Sequence, residues 1–209
     1  MTHSLHRRGD QESLEGDYVV LLISAGGIND KGSAKNLREA LEIAKTFKTV
    51  NLGDMLTGNI HIKNLELDTI LNRVADRSVV HAVFTDKSEA MSYLEALKKA
   101  DLGIPVVISG IFEEIFSGCK GIDIKPHTIH FSLGTFGKTE LLPEEDVLWI
   151  TTMCGHHQVA PNHVKQMVKE VKAGKITPEE AGKELAKQCV CGIFNPARAA
   201  KIIKKMAEK

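Results

Sequence analysis

Two continuous apolar runs constrain the fold of this chain most strongly. Residues 18–25 read Tyr-Val-Val-Leu-Leu-Ile-Ser-Ala, and residues 79–84 read Val-Val-His-Ala-Val-Phe. A strand with one solvent-exposed face alternates apolar and polar residues. An unbroken apolar run therefore predicts a strand that is buried on both faces. Between the two runs, Leu37, Ala40 and Leu41 recur at helical spacing. The sequence therefore predicts a sheet with helices packed on both of its faces.

Further strand candidates follow the same rhythm. Residues 104–109 and 128–133 read as a third and a fourth strand, and residues 49–52 as a weaker one. Predicted strands that alternate with predicted helices indicate β-α-β units with right-handed crossovers. We therefore expect an α/β fold with a mostly parallel sheet flanked by helices, in a three-layer sandwich.

Three regions are expected along the chain. Residues 1–16 are polar and predict a disordered lead. Residues 17–142 carry the α/β pattern, and residues 143–209 form a mainly helical segment, with cysteines and histidines, that we expect to pack on the sheet edge. Within that segment Thr177-Pro178-Glu179-Glu180 predicts a capping box at a helix start. Residues 143–153 fit either a helix or a last strand.

Charge and composition exclude several classes of partner. The 209 residues include 27 Lys and Arg against 27 Asp and Glu, so the chain lacks the basic footprint of nucleic-acid binding. It also lacks the run of about 18 apolar residues that a membrane span needs, and any apolar run typical of a secretory signal. We expect a cytoplasmic protein with reduced cysteines, whose close spacing indicates metal or redox chemistry.

The C-terminal segment holds a cysteine and histidine pattern typical of metal ligands. Cys154, His156 and His157 lie in Met-Cys-Gly-His-His, and Cys189 and Cys191 follow in Cys-Val-Cys-Gly. Thiolate and imidazole are ligands of zinc and iron–sulfur centres. If the segments meet, their three thiolates could bind an iron–sulfur cluster with one open iron. They could also bind a zinc ion whose fourth ligand is histidine or water. A redox-active thiol site, or plain burial of the cysteines as small apolar residues, are the alternatives.

Two glycine-containing loops are candidate ligand-binding sites. Ser24, Gly26 and Gly27 follow the first predicted strand. Gly134, Gly137 and Lys138 follow the fourth, although a P-loop would need glycine where Ser132 stands. Ligands of α/β sheets bind at the carboxyl ends of strands, and backbone donors with a lysine can hold an anion. These loops predict a small-molecule or nucleotide site, which could serve a protein without any metal. The sequence indicates no catalytic residue.

Several segments, taken in order, resemble a known family. They are 23–28 (Ile-Ser-Ala-Gly-Gly-Ile), 81–84 (His-Ala-Val-Phe), 104–110 (Ile-Pro-Val-Val-Ile-Ser-Gly) and the 155–171 stretch. Together they are similar to the operon protein C type of accessory protein encoded with methyl-coenzyme M reductase, and to methanogenesis marker proteins. The resemblance implies an accessory role in activating or assembling a nickel enzyme in an anaerobe, in a setting compatible with iron–sulfur clusters. It carries over no catalytic residue.

The functional expectation is therefore a metal- or iron–sulfur-binding protein. It would act either as an anaerobic redox enzyme or as an accessory factor for a metalloenzyme partner. The alternative is an α/β protein that binds a small molecule or nucleotide without metal.

Overall fold

A computed structural model describes residues 4–209, and its centre is one five-stranded sheet. The strands lie in the order β3-β2-β4-β1-β5. In chain order they are β1 Tyr18–Ile23, β2 Asn51–Asp54, β3 Gly58–Asn59, β4 Val79–Phe84 and β5 Val106–Ser109.

Every neighbouring pair in this sheet is antiparallel, so the predicted mostly parallel sheet is wrong. β1 and β2 do run in the same direction, but β4 lies between them and pairs with both. Leu21 of β1 and Gly53 of β2 both stand opposite His81 of β4. The prediction failed because unbroken apolar runs report burial of both faces, and helices can cover both faces of an antiparallel sheet as well.

Helices cover both faces of the sheet. On the described part of the chain they are α1 Gln11–Leu14, α2 Ser33–Ala44, α3 Leu67–Arg73, α4 Lys87–Ala100, α5 Phe112–Gly121, α6 Glu145–Thr151, α7 Pro161–Lys172, α8 Pro178–Ala186 and α9 Pro196–Glu208. The ambiguous segment 143–153 thus contains a helix. The predicted capping box is confirmed, because Thr177 and Glu180 each accept a hydrogen bond from the other's backbone N–H.

The strands divide the interior into two cores by simple alternation. Val20 and Leu22 of β1 face α2, α3, α4 and α5. Val19 of β1 and Val83 of β4 face the opposite way and pack with α6, α7, α8 and α9. The C-terminal helices therefore lie against a face of the sheet, where the sequence predicts packing on its edge.

The predicted fourth strand is wrong. Residues 128–133 are exposed and carry no strand pairing. Their apolar residues alternate as in a strand, but no neighbouring strand of the described chain offers them hydrogen bonds. Gly134, Gly137 and Lys138 consequently do not follow a strand end. Separately, over residues 4–209 no helix combines the length and apolar character needed to cross a membrane.

The lead segment makes specific contacts over residues 4–16, and residues 1–3 lie outside the described residues. Asp10 caps α1 by accepting a hydrogen bond from the N–H of Ser13. Ser4 is buried and bonds the hydroxyl of Ser109 at the end of β5, at 2.8 Å. The segment expected to be disordered is thus fastened to the sheet.

Close packing of α8 on α9 gives a stability prediction. A Cβ added to Gly182 would stand 2.2 Å from the Pro196 carbonyl oxygen, a backbone atom that cannot move aside cheaply. Gly182→Ala should therefore lower the free energy of unfolding by about 1–3 kcal/mol. Urea unfolding monitored by circular dichroism measures this change.

Gly121→Ala is the matched control for this substitution. Gly121 also lies in a helix, and its added Cβ would meet nothing within 4 Å. Its free energy of unfolding should stay within about 0.5 kcal/mol of the parent protein or rise slightly. Equal effects of the two substitutions would contradict the packing of α8 against α9.

Candidate thiol site

Three cysteines that are distant in sequence meet in the C-terminal core. Cys154 follows α6, while Cys189 and Cys191 lie in the turn between α8 and α9. The sulfur of Cys189 is 3.7 Å from that of Cys191. Cys154 lies in the same buried cluster, close enough to influence the acidity of both. All three side chains are fully buried and are free thiols. Cys189 and Cys191 thus form a contacting pair of sulfurs, with Cys154 in the same core.

The β2–β3 hairpin holds the turn that carries Cys189 and Cys191. The side-chain amide of Asn59 donates to the carbonyls of Ala186, at 3.2 Å, and Cys189, at 2.9 Å. Gly53 lies so close that an added Cβ would stand 2.7 Å from the Cys191 carbonyl oxygen. Gly192 has a φ of +85°, in the left-handed region that favours glycine. Small residues on both sides therefore let the turn rest directly on the sheet.

Hydrogen bonds within the trio give the three thiols different acidities. The hydrogen bond from Cys189 lowers the pKa of Cys154 to about 6, helped by backbone N–H donors of Gln158 and His156. The same partner lowers the pKa of Cys191 to about 7, helped by the N–H of Ile193. The pKa of Cys189 is raised by its interactions with Cys154 and Cys191, which favour its protonated form, and by burial. The pKa values of Cys154 and Cys191 therefore lie below that of a free thiol, and the pKa of Cys189 lies above it.

The two histidines relate differently to the thiols. Both are exposed. The charge of His156 contributes to lowering the pKa of Cys154 and of Cys191, so this imidazole acts on the site. His157 has a φ of +53°, and its N–H donates to the Cys154 carbonyl at 3.0 Å. Its backbone shapes the turn that covers the thiols. His156 is consequently the better placed of the two as an additional ligand.

The sulfurs do not yet form a closed ligand set. Among the side chains of residues 4–209, no group of three or more His, Cys, Asp or Glu is positioned as it stands to hold a metal ion. The fourth cysteine, Cys119, lies on the other side of the sheet, buried in the core with α5. Cys154, Cys189 and Cys191 are therefore a cluster of buried thiols and not a preformed metal site.

A buried arginine joins the two cysteine-bearing segments. Arg7 donates to the carbonyl of Met153, at 2.8 Å, and to that of Ile193, at 3.0 Å. Met153 precedes Cys154, and Ile193 lies two residues beyond Cys191. One guanidinium thus fixes both segments relative to each other, from a part of the chain that the sequence predicts to be disordered.

Arg7 is itself held by a buried carboxylate. Asp17, directly before β1, is 2.7 Å from Arg7 Nε and 2.8 Å from Arg198 Nη1. Asn195 donates to its other oxygen at 3.0 Å. Burial by itself raises the pKa of Asp17, but the two guanidiniums outweigh it and hold the pKa below its ordinary value. The sequence signal for this network is a charged residue, Asp17, directly before the apolar run that begins at Tyr18.

The glycine loops expected to hold a ligand lie apart from each other. Ser24, Gly26 and Gly27 follow the carboxyl end of β1, where the N–H of Gly27 donates to Asp30. Gly134 lines a cleft of about 330 Å³ with His6 and Arg8, close to the amino end of β1.

The ends of β1 are far apart in space. The seven steps from Asp17 to Ser24 span about 23 Å of extended chain. Gly137 and Lys138 are exposed, next to Gly134 in the same loop. The structure therefore brings the three cysteines together but does not bring the two loops together.

Comparison with known proteins gave no family model, no curated sequence and no solved structure that matches the chain. The functional interpretation therefore rests on the geometry of the site.

Removing the Asp17 carboxylate tests the network that positions the thiols. Asp17→Asn leaves two buried guanidiniums without a counter-charge and should lower the free energy of unfolding by about 3–5 kcal/mol. As a control, Glu95→Gln removes the exposed partner of Lys99 and should cost less than about 1 kcal/mol. Urea unfolding at neutral pH compares the two.

The same variant has a pH signature. The folded-state pKa of Asp17 lies below its ordinary value. The stability that its ionised form contributes is therefore present above a pH of about 4 and is lost as pH falls through the folded-state pKa. Asp17→Asn should remove this part of the acid dependence of unfolding. If the free energy of unfolding of the variant fell at acidic pH as it does in the parent protein, the lowered pKa of Asp17 would be contradicted.

Proposed function

We propose that the protein binds a soft metal centre, zinc or an iron–sulfur cluster, through Cys154, Cys189 and Cys191. The observation that carries the proposal is the burial of three cysteines in one cluster, with two of their sulfurs in contact. Two sulfurs that each lie about 2.3 Å from a tetrahedral zinc are about 3.8 Å apart. The Cys189 and Cys191 sulfurs are already 3.7 Å apart, so the pair needs little movement to share a metal.

The electrostatics of the trio fit a cation. Three buried thiolates would repel one another and lose hydration, so without a cation one proton stays at Cys189. A metal ion would replace that proton and release it to solvent. The backbone N–H donors to Cys154 and Cys191 stabilise charge on these sulfurs in either state. The thiol site thus offers sulfur ligands whose negative charge a soft metal cation would neutralise.

Binding would need the three sulfurs to close around the ion. Rotation of the Cys154 side chain beneath residues 155–158 is the simplest route, since His156, His157 and Gln158 there are exposed. Three protein sulfurs leave a fourth position for His156, water or a ligand from outside. An open position suits either chemistry on a small ligand or passage of metal to another protein.

Of the two roles, the accessory role has more support. A self-contained enzyme would need a substrate site beside the metal, and the two glycine loops expected to provide it lie at opposite ends of β1. A protein that holds metal for a partner metalloenzyme needs no such site, and the family resemblance points the same way. The proposal places the protein in a reducing compartment, the cytoplasm, where its four cysteines stay thiols.

Metal analysis of matched cysteine variants tests the proposal. Purified without oxygen, the parent protein should carry about one zinc or about four irons per chain. Cys154→Ala, Cys189→Ala and Cys191→Ala should each lose most of that metal, because the ligands act together. Elemental analysis and the absorbance of iron–sulfur or cobalt-substituted forms provide the measurement.

Cys119→Ala is the control, because Cys119 is equally buried but lies across the sheet. It should keep the full metal content. A parent protein that stays folded and metal-free after anaerobic purification and reconstitution would contradict the proposal. Cysteine variants that lose stability while the metal content is unaffected would instead indicate that the thiols serve as small apolar core residues.

A further inference from the structure

An apolar surface lies along one edge of the molecule, and no part of the metal proposal uses it. It consists of β5, α5 and the exposed segment 126–137. The ring of Phe112 is 5.7 Å from that of Phe116 and 6.4 Å from that of Phe131. These contacts join α5 to the exposed segment, so the surface is continuous. We call it the β5-edge surface.

The β5-edge surface has the size of one side of a protein interface. Its four phenylalanines, Phe112, Phe116, Phe131 and Phe136, are all exposed. Together they present on the order of 400 Å² of ring surface to solvent, at about 200 Å² for a whole side chain. Ile129, Leu133 and Leu141 are exposed as well. A partner in a stable complex contributes about 800 Å², which these side chains approach.

The composition of the surface is that of an interface core. Residues 104–112 and 126–137 contain no Lys, Arg, Asp or Glu. Edge strands of monomeric proteins are normally protected by such charges, because an unprotected edge pairs with other chains. Interface cores are depleted of charge and enriched in aromatic residues. The charged residues of the surface, Glu113, Glu114 and Lys120, lie on α5. β5 and residues 126–137 carry no charge that would oppose pairing with a second chain.

The chain presents two halves of a strand pair that it does not join itself. β5 pairs with β1 on one side, and no described strand covers its other side. Residues 128–133 alternate polar and apolar, with Ile129, Phe131 and Leu133 on one face, yet make no strand pairing. One half is a free edge, and the other is an amphipathic segment with the period of a strand.

We propose that the protein is a two-fold homodimer in which residues 128–133 of each copy pair with the free edge of β5 in the other. A second copy is the occupant that supplies both missing halves at once, and the two-fold axis repeats the contact. Each contact would bury Phe131 of one copy against β5 and α5 of the other. The inference is independent of the metal site, which lies on the face of the sheet.

The oligomeric state of the full chain in solution tests this proposal. Light scattering after gel filtration, and sedimentation velocity, should give twice the chain mass of 22.9 kDa. Phe131→Asp and Phe136→Asp should weaken dimerisation by about 100-fold or more, because each dimer would bury two unpaired carboxylates.

Exposed apolar residues elsewhere provide matched controls. Leu56 is 63% exposed against 61% for Phe131, and Ile28 is 85% exposed against 79% for Phe136. Leu56→Asp and Ile28→Asp should remain dimers. Circular dichroism and thermal unfolding establish that each variant is folded, so that a monomer is not mistaken for an unfolded chain.

Mixing variants tests the reciprocal exchange. Val106→Lys, on the exposed side of β5, should also dissociate the dimer. A mixture of Phe131→Asp and Val106→Lys chains should form mixed dimers, because one of the two contacts stays intact.

Three outcomes would overturn the proposal. They are a monomeric parent protein at all concentrations, a dimer that neither substitution weakens, and variants that fail to associate when mixed. A parent chain that is monomeric alone and pairs only with a different protein belongs to the first of these.

Discussion

The buried carboxylate of Asp17 is the interaction on which the arrangement of the C-terminal half depends. It binds Arg7 from the lead, Arg198 from α9 and Asn195 from the turn before α9. Through Arg7 it also fixes the carbonyls of Met153 and Ile193. A charge buried at the start of β1 must be neutralised there. The ion pairs thereby dictate where the cysteine-bearing segments lie.

The second constraint is coverage of both sheet faces. α2, α3, α4 and α5 cover one face, and the four C-terminal helices cover the other. Close approach is achieved with small residues at Gly53, Gly192 and Gly182, where a Cβ would meet backbone atoms. The turn that carries Cys189 and Cys191 lies in one of these close contacts. Burial of the thiols and packing of the helices therefore depend on the same residues. This is why a cysteine variant must be judged by metal content as well as by stability.

The thiol site and the β5-edge surface differ in burial and in chemistry. The thiols are buried, and the pKa values of Cys154 and Cys191 are lowered, which fits the proposed binding of a soft cation. The β5-edge surface is exposed and aromatic, which fits the proposed contact with a second copy of the chain.

Local sequence patterns determined the buried strands β1 and β4, the helical C-terminal segment with its capping box, and the candidate role of Cys154, Cys189 and Cys191. These follow from residue spacing and side-chain chemistry, which a chain carries with it. Strand direction, the loss of residues 128–133 from the sheet and the ordering of Arg7 could not be read in the same way. Each depends on which distant segment lies alongside. β4 lies between β1 and β2, residues 128–133 have no neighbouring strand, and Arg7 is held by Asp17. Apolar periodicity records that a residue is buried but not what it is buried against, and only tertiary contacts between distant segments decide that.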